Sequence, residues 1–548
     1  NGGVVNRFVF WSCLDQRKGA SMPNRREFLG MGCGLAMSGL LGSAGTLLCP
    51  KHGSASTGSE GEETIRTDFL DGSSKSVAWL EEMVGPSLGR LLTKTSREIR
   101  SSPFSVGLET LDRSMYDPER VYDPLGKLGV KWARLQTGWA RTEQIVGQYD
   151  FGWLDAVVDA VVGQGVAPWF NVGYGNKLYT PEAPDASAVG WIPIYNADAQ
   201  QAWLRYVRAL AQRFGERVKH WEIWNEPNIK NFWKPGEPSP ELYVEFVAQT
   251  AKVIREVIPQ VTIIGGALAG MPTDYLKKLL SCGLAQYVDK ISFHPYRAIP
   301  EDGYRDTLET WKQLLQSAGE KRLQLWQGEN GCPSRPGSAG ALAQFPWNEI
   351  TQCKWLLRRV LYDRVLGLEL TSYFHMVDLM RYNWGQGPTD KANWKGLLRG
   401  EDYSPKPAYF GYQRICTLFD DDARRDISLD TSVEVVEENR ADPASSRSSK
   451  EKRFIPPAAF VRNNSPMWCF WYASDLIKPG EITYLTLTIR EKALSSGELF
   501  YLDLLSGWIF RLSKLERQND QCHVRSIPVG DYPVVIGAPG ALQGLVSS

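Results

Sequence analysis

The sequence predicts an α/β fold in which a (β/α)8 TIM barrel is followed by a C-terminal antiparallel β-sandwich. Between residues 101 and 419, short β-branched or aromatic runs alternate with longer stretches of helical period, which is typical of βαβ units around a parallel sheet. Eight such runs occur, and this number favours a closed barrel over an open doubly wound sheet. Beyond residue 454 the strand-like runs follow one another without helices, which predicts a separate small β domain.

The predicted barrel strands are separated by segments whose apolar residues recur at helical spacing. Trp203, Tyr206 and Leu210 show this spacing of three and four. No Gly-x-Gly-x-x-Gly fingerprint follows the first strand, which weakens the alternative of a dinucleotide-binding sheet. The eight strands are predicted at residues 104–111, 131–137, 166–172, 220–224, 261–267, 290–294, 323–328 and 368–374.

The segments that flank the barrel differ from it in composition. Residues 57–100, with an amphipathic stretch at 80–92, are predicted to form an N-terminal arm. Residues 420–453 are charged and serine-rich, which predicts a linker or long loop. Residues 454–548 are the predicted sandwich, an accessory domain. Its strands are expected at 459–471, 482–489, 498–504 and 531–536, with a turn at 505–507.

Residues 22–56 have the pattern of a twin-arginine signal peptide. Arg25 and Arg26 precede an uncharged run rich in Gly, Ala and Leu at 31–48. That run is glycine-rich and shorter than the roughly 20 apolar residues of a membrane anchor. We therefore expect export by the twin-arginine route to the periplasm or the extracellular space, without membrane attachment after signal cleavage. Because Met22 stands just before the arginines, residues 1–21 are interpreted as a non-native upstream extension.

The amino-acid composition limits the kinds of molecule that the protein is expected to bind. Lysine plus arginine equals aspartate plus glutamate at 62 each, so no whole-chain field attracts nucleic acid. The 20 tryptophans, 22 tyrosines and 20 phenylalanines supply flat faces of the kind that stack on sugar rings, although most are expected in the core. Among the nine cysteines there is no Cys-x-x-Cys pair, which argues against a structural zinc site. A chain that folds before export does so in a reducing compartment, so free thiols are expected.

Two glutamates stand where barrel strands are predicted to end. Glu226 ends the fourth strand within Trp-Glu-Ile-Trp-Asn-Glu-Pro-Asn (221–228), and Glu329 ends the seventh within Leu-Trp-Gln-Gly-Glu-Asn-Gly (325–331). The carboxyl ends of barrel strands meet at one face, so both side chains are expected at the same mouth. Pro227 cannot continue the strand ladder and holds Glu226 at the rim. Partial burial there is expected to raise the pKa of Glu226 toward that of a general acid.

The 221–228 string, with glutamates ending strands four and seven of an eightfold βα pattern, resembles the clan A retaining glycoside hydrolases. It is most similar to family 39, which contains β-xylosidases and α-L-iduronidases, and the resemblance covers about residues 101–415. It implies an enzyme that cleaves O-glycosidic bonds in a glycan or oligosaccharide by double displacement through a covalent glycosyl-enzyme intermediate. Glu226 then matches the acid/base and Glu329 the nucleophile. No metal or organic cofactor is implied, because the two carboxyl groups supply acid, base and nucleophile.

Further residues match positions around the sugar in the resembling enzymes. Arg134 corresponds to an arginine beside the nucleophile, and its charge is expected to keep Glu329 ionised. His294 and Tyr296 end the sixth strand, and Tyr296 is expected to donate a hydrogen bond to Glu329. The Asn225 amide suits a sugar hydroxyl. Less specific substrate-binding candidates, each of which packing alone also accounts for, are Glu109, Trp139, Asn171, Tyr174, His375 and Trp384.

Two other functions stay open at this level. The chain is alternatively a non-catalytic carbohydrate-binding protein on a hydrolase scaffold, or a transglycosylase that uses a sugar as acceptor. A pure receptor gains nothing from a paired acid and nucleophile, so the glutamate pair favours hydrolysis. The strand-eight run Ser-Tyr-Phe-His (372–375) departs from the tryptophan of many clan members and leaves the floor of the first sugar subsite undefined. Sugar identity and exo or endo action depend on loops such as 176–196 and 332–347.

Overall fold

The structure is a computed structural model that describes residues 65–547 except residue 321 and segments 383–389, 439–452, 491–493 and 495–496. The predicted upstream extension (1–21) and signal peptide (22–56) lie outside the described residues. None of the helices in the described part of the chain combines the length and the apolar composition needed to cross a membrane.

The stretch before the barrel is part of the folded body. Helix α1 (Ser74–Val84) begins at Ser73, whose side chain accepts the N–H of Ser76, and stops at Gly85. Any side chain at Gly85 is excluded, because a Cβ there would lie 2.2 Å from a main-chain oxygen of residue 511. Strand β1 (Ser87–Arg90) then pairs antiparallel with residues 508–510 near the C-terminus. The predicted N-terminal arm therefore contributes an edge strand to the C-terminal sheet.

Eight parallel strands close into the predicted barrel, in chain order. Each observed strand overlaps the run predicted for it, so the barrel prediction is confirmed. The first strand is shorter than predicted, because Thr110 takes a left-handed conformation and a short 3-10 turn follows. The strands are β2 (Phe104–Gly107), β3 (Trp132–Gln136), β4 (Ala167–Val172), β5 (His220–Ile223), β6 (Thr262–Ala269), β7 (Lys290–His294), β8 (Gln324–Asn330) and β9 (Leu370–Tyr373).

The helices that surround the barrel bury one apolar face each. In α5 the buried positions include Trp203, Tyr206 and Leu210, which lie on one face because a helix turns every 3.6 residues. Helix α9 is buried along most of its length because it lies between the barrel and the C-terminal sheets. The helices are α2 (Tyr122–Leu128), α3 (Trp139–Thr142), α4 (Gly152–Gly163), α5 (Ala197–Phe214), α6 (Pro240–Val257), α7 (Thr273–Ser281), α8 (Tyr304–Ser317), α9 (Glu349–Val365) and α10 (Pro407–Leu418).

The predicted C-terminal β region is confirmed as two antiparallel sheets. One has seven strands in the order β1-β16-β15-β19-β13-β12-β10, and the other has four in the order β11-β14-β18-β17. The strands are β10 (Ala423–Arg425), β11 (Val433–Glu437), β12 (Arg453–Arg462), β13 (Ser465–Ala473), β14 (Thr483–Arg490), β15 (Phe500–Asp503), β16 (Trp508–Arg511), β17 (Leu515–Gln518), β18 (Gln521–Val529) and β19 (Val534–Gly537).

The prediction of a linker or loop over residues 420–453 is wrong for its first half. Strands β10 and β11 lie there, and both are edge strands of their sheets. In β11, Val433 is buried and Glu434 is exposed, while Glu437 is half-buried and accepts a hydrogen bond from Tyr472. Residues 439–452 lie outside the described part of the chain.

Buried polar contacts hold the sheets against the barrel. Trp471 of β13 donates to Oε1 of Glu301 at 2.7 Å, and Arg358 of α9 donates to the same oxygen at 2.9 Å. Arg358 also donates to the main-chain oxygen of Ser474 at 2.7 Å. Each of these buried polar groups finds its hydrogen-bond partner across the boundary between the barrel and the sheets. The contacts therefore hold the barrel and the sheets together. Among the described cysteines, Cys282, Cys332, Cys353, Cys416 and Cys469 carry free thiols.

Candidate active site

A pocket of about 400 Å³ opens at the carboxyl ends of the barrel strands. It brings together most of the predicted site, although these residues come from five different strand ends. The predicted residues in its lining are Glu109, Tyr174, Asn225, Glu226, His294, Tyr296 and Glu329. Glu226 and Glu329 are about one hundred residues apart in the chain, and they meet at one end of the barrel as the sequence predicts.

Glu226 is held in the pocket by an unusual backbone. Strand β5 ends at Ile223, and both Trp224 (φ 68°) and Glu226 (φ 45°) then adopt the left-handed region. The amide of Glu226 donates to the main-chain oxygen of Ala267 at 2.8 Å, which ties this turn to β6. Non-glycine residues held in this region store strain and concentrate at functional sites. The turn directs the carboxyl group of Glu226 into the barrel mouth instead of along the strand.

Glu329 receives a hydrogen bond on each carboxylate oxygen. Arg134 Nη1 donates to Oε2 at 2.7 Å, and the hydroxyl of Tyr296 donates to Oε1 at 2.8 Å. Both contacts are as predicted. Donors on both oxygens stabilise the charged form of this carboxyl group and fix its orientation.

Arg134 is buried below the pocket, where it donates hydrogen bonds to several site residues. Its guanidinium donates to Glu222 Oε2 at 2.9 Å, to Glu109 Oε1 at 3.0 Å and to Asn225 Oδ1 at 2.9 Å, in addition to Glu329. The side chain is completely buried, so its charge reaches the substrate only through the residues that it holds. Arg134 therefore acts as a positioning residue for Glu329 and the other groups that it holds.

The two glutamates approach each other around His294. Nδ1 of His294 lies 2.9 Å from Glu226 Oε1 and 3.9 Å from Glu329 Oε2. One oxygen of Glu226 and one of Glu329 lie within 4.8 Å of each other. Burial lowers the pKa of His294 to about 4, so its ring is neutral at pH 7. A neutral ring adds no positive charge beside the two carboxyl groups.

Burial acts on both carboxyl groups, but their partners differ. Burial raises the pKa of Glu226 to about 7, against the opposing charge of Arg134. Burial also raises the pKa of Glu329, while the charge of Arg134 acts in the opposite direction. The expected effect of Arg134 on Glu329 is thus present, but desolvation outweighs it. Glu329 is the carboxyl group with two donors, and Glu226 is the one suited to carry a proton.

Comparison with known proteins agrees with this geometry. The model of Glycosyl hydrolases family 39 matches residues 136–325. A β-xylosidase of Geobacillus stearothermophilus is 26% identical over an alignment that covers 31% of this chain and 34% of that protein. Over this segment the chain is therefore similar to Glycosyl hydrolases family 39. It aligns with about a third or less of the length of the first curated relatives that it matches.

Solved structures share the fold of this family 39-like chain. A family 39 glycoside hydrolase from Bacteroides cellulosilyticus WH2 superposes with a TM-score of 0.57 at 18% identity, covering 81% of each chain. A monomeric β-xylosidase from Caulobacter crescentus CB15 superposes with a TM-score of 0.51 at 15% identity, covering 82% of this chain and 97% of the other. The likeness extends beyond the barrel, since the barrel alone is a smaller part of the chain.

Three of the predicted substrate-binding residues, Trp139, Asn171 and His375, lie outside the lining of this pocket. Trp139 is buried and stacks on Tyr179 at 5.2 Å between ring centroids. Asn171 donates to Glu222 at 2.9 Å and supports the barrel interior. The ring nitrogens of His375 lie 2.9 and 3.0 Å from main-chain oxygens. In each case the side chain finds its partners inside the fold. Trp384 lies outside the described residues.

Several pocket residues carry no sequence signal that singles them out. Phe374 lines the pocket, and it takes the strand-eight rim position that the sequence left undefined. Tyr382 packs edge-on against Phe374 at 6.2 Å, and Asn393 and Lys395 line the same side. These last three come from the long segment between β9 and α10, whose path the local pattern does not reveal.

A metal is the other ligand that this geometry invites. Glu226, His294 and Glu329 offer ligand atoms within 4.8 Å of one another, and they form the one such His and carboxylate group among the described residues. The donor set fits a metal poorly, because Glu329 already accepts hydrogen bonds from Arg134 and Tyr296. His294 Nδ1 likewise stands at hydrogen-bond distance from Glu226. Acid/base and nucleophilic chemistry accounts for all three groups.

Proposed function

We propose that this protein hydrolyses O-glycosidic bonds in a glycan or oligosaccharide with retention of anomeric configuration. The observation that carries the proposal is that one carboxylate oxygen of Glu226 and one of Glu329 lie within 4.8 Å of each other across one pocket. An inverting enzyme needs carboxyl groups roughly 6.5 to 9.5 Å apart to hold a water between one of them and the sugar. The shorter approach supports direct attack on the sugar by one carboxylate.

In the first step Glu226 gives its proton to the leaving oxygen while Glu329 attacks the anomeric carbon. The bond from Glu329 to carbon forms as the glycosidic bond breaks, and the leaving group departs as an alcohol. The pKa of about 7 at Glu226 supports this role, because an appreciable protonated fraction is present at neutral pH. Arg134 and Tyr296 hold the attacking carboxylate in place.

In the second step the now ionised Glu226 takes a proton from water. The resulting oxygen attacks the anomeric carbon, the bond to Glu329 breaks, and the sugar leaves with its original configuration. Glu226 returns to the protonated state. Asn225 lines the pocket beside Glu226, where its amide suits a sugar hydroxyl that strengthens its hydrogen bond in the transition state.

A panel of 4-nitrophenyl β-glycosides tests this function, with the β-xyloside first. We expect turnover of at least one member, and proton NMR of early reaction mixtures to show the β-anomer before mutarotation. An α-anomer as first product contradicts the retaining mechanism. Absence of turnover across the panel and across plant and algal polysaccharides, with glycan binding retained, supports the receptor alternative instead. Products longer than the substrate at high acceptor concentration support transglycosylation.

We also propose export by the twin-arginine route to the periplasm or the extracellular space. Arg25 and Arg26 before the uncharged run at 31–48 support it. Fractionation of cells that express the full chain with both arginines changed to lysine tests it. We expect the native chain outside the cytoplasm and the variant retained inside. Equal export of both chains contradicts this route.

A further inference from the structure

We propose that Lys395 binds an anionic substituent, a carboxylate or a sulfate ester, on the sugar ring that occupies the pocket. The inference rests on the proposed function, because it takes this pocket as the substrate site. It goes further by naming the chemical class of the substrate, which the paired glutamates leave open.

Lys395 differs from the other buried lysines. The described residues include four lysines in the buried class, and three of them pair with a carboxylate. The three pairs are Lys290 with Glu369, Lys354 with Asp531, and Lys406 with Asp378. Lys395 is 1% exposed and, within the described part of the chain, contacts only neutral acceptors. A buried ammonium without a counter-ion is costly, so the arrangement calls for an anion from outside.

The protons of the ammonium are incompletely used. Nζ of Lys395 donates to the main-chain oxygen of Ala339 at 3.1 Å and to Asn393 Oδ1 at 3.3 Å. A lysine ammonium has three N–H donors, which leaves one for a ligand. Residues 383–389, which follow the eighth strand, contain no aspartate or glutamate and offer no carboxylate of their own.

The position of Lys395 matches a substituent on the reacting sugar. Nζ lies 5.9 Å from the ring centroid of Tyr296, whose hydroxyl donates to the nucleophile candidate Glu329. The ammonium and the carboxylate that attacks the anomeric carbon therefore lie beside the same tyrosine in the pocket lining. Gly340 borders the same place with φ 79°, and a Cβ there would stand 3.3 Å from Nζ. The missing side chain leaves the ammonium open on that side.

The other charges around the pocket are already matched. Arg113 pairs with Asp112, and Arg134 pairs with Glu109, Glu222 and Glu329. Glu329 is therefore not the missing counter-ion of Lys395. Burial lowers the pKa of Lys395 to about 8, which still leaves the ammonium form predominant at pH 7. An incoming carboxylate or sulfate would form a charge-assisted hydrogen bond with it.

The first experiment measures binding to the native enzyme by calorimetry at pH 6.5. The probes are D-glucuronate, D-galacturonate, glucose 6-sulfate and galactose 6-sulfate, each against its neutral parent sugar. We expect at least one anionic sugar to bind roughly 10- to 100-fold more tightly than its parent, which is the range of a hydrogen bond to a charged group. The uronates and the sulfates separate the two sources of negative charge. Equal or weaker binding of all anionic sugars overturns the proposal.

The second experiment compares the native enzyme with Lys395→Met, which keeps the length of the side chain without its charge. We expect the preference for anionic over neutral sugars, both in binding and in the catalytic efficiency toward nitrophenyl glycosides, to fall about 10- to 100-fold. Lys312→Met, at the amino-terminal side of the barrel, is the matched control and leaves the preference unchanged. An unchanged preference in Lys395→Met overturns the proposal, and the native-enzyme comparison decides it if that variant does not fold.

The two proposals fail in different ways. Turnover of neutral glycosides without preference for anionic ones leaves the hydrolase function standing and removes the role of Lys395. Tight, Lys395-dependent binding of an anionic sugar without turnover of any glycoside supports the role of Lys395 and contradicts the hydrolase function.

Discussion

Glu329→Gly is expected to lower kcat for 2,4-dinitrophenyl β-glycosides by at least about 10⁴-fold, because the covalent path is lost with the nucleophile. The variant keeps Glu226, so protonation of the leaving group is still available. Added azide fits the space left by the carboxylate and attacks the anomeric carbon directly. We therefore expect an α-glycosyl azide, inverted relative to the β-substrate, which NMR identifies.

Glu237→Gly is the matched control for this change. Glu237 also follows β5 but is exposed and pairs with Lys230, so its loss leaves kcat close to that of the native enzyme. Circular dichroism verifies that both variants fold. Native-like turnover in Glu329→Gly, or an azide product of β configuration, contradicts the assignment of Glu329 as nucleophile.

Glu226→Ala is expected to lower kcat/KM about 10²- to 10⁴-fold for glycosides with poor leaving groups, the usual contribution of a general acid. A 2,4-dinitrophenyl leaving group needs no proton, so its departure proceeds and the glycosyl-enzyme accumulates. Azide then attacks this intermediate without help from a base and restores turnover. The product is a β-glycosyl azide with retained configuration. The two variants therefore give azides of opposite configuration from the same substrate.

The pH dependence of activity also tests the assignment of Glu226 as the acid/base. Activity requires Glu226 protonated, and burial places its pKa at about 7, so kcat/KM is expected to fall as pH rises through about 7. Glu226→Ala has no group to deprotonate there and is expected to lose this alkaline limb. At the acid end activity falls as Glu329 takes up a proton. Persistence of the alkaline limb in Glu226→Ala, or lack of azide rescue, rules Glu226 out as the acid/base.

The strongest predictions from sequence were those that depend on local period and strand ends. Alternating strand-like and helical runs determine a barrel, because a parallel strand buried on both faces and a helix buried on one face leave different periodic patterns. Glu226 and Glu329 follow at one mouth, because parallel strands in a barrel end on the same face. The Asn-Glu-Pro string alone indicates that Glu226 lies at a strand end, without reference to the neighbouring strands.

Side-chain roles that depend on partners from other strands were not determined in this way. Trp139, Asn171 and His375 share the predicted rim, yet each bonds or stacks inside the fold. The charge of residues 420–453 suggested a linker, but residues 433–437 form a strand that pairs with β14.

What the sequence by itself determined is the barrel and the chain positions of its two carboxyl groups, since both follow from patterns within a few residues. Only the tertiary structure decided that Arg134 contacts three carboxylates and that Lys395 lines the pocket without a carboxylate partner among the described residues. Burial and ion pairing are set by contacts between distant segments, and a one-dimensional pattern carries no distance between them.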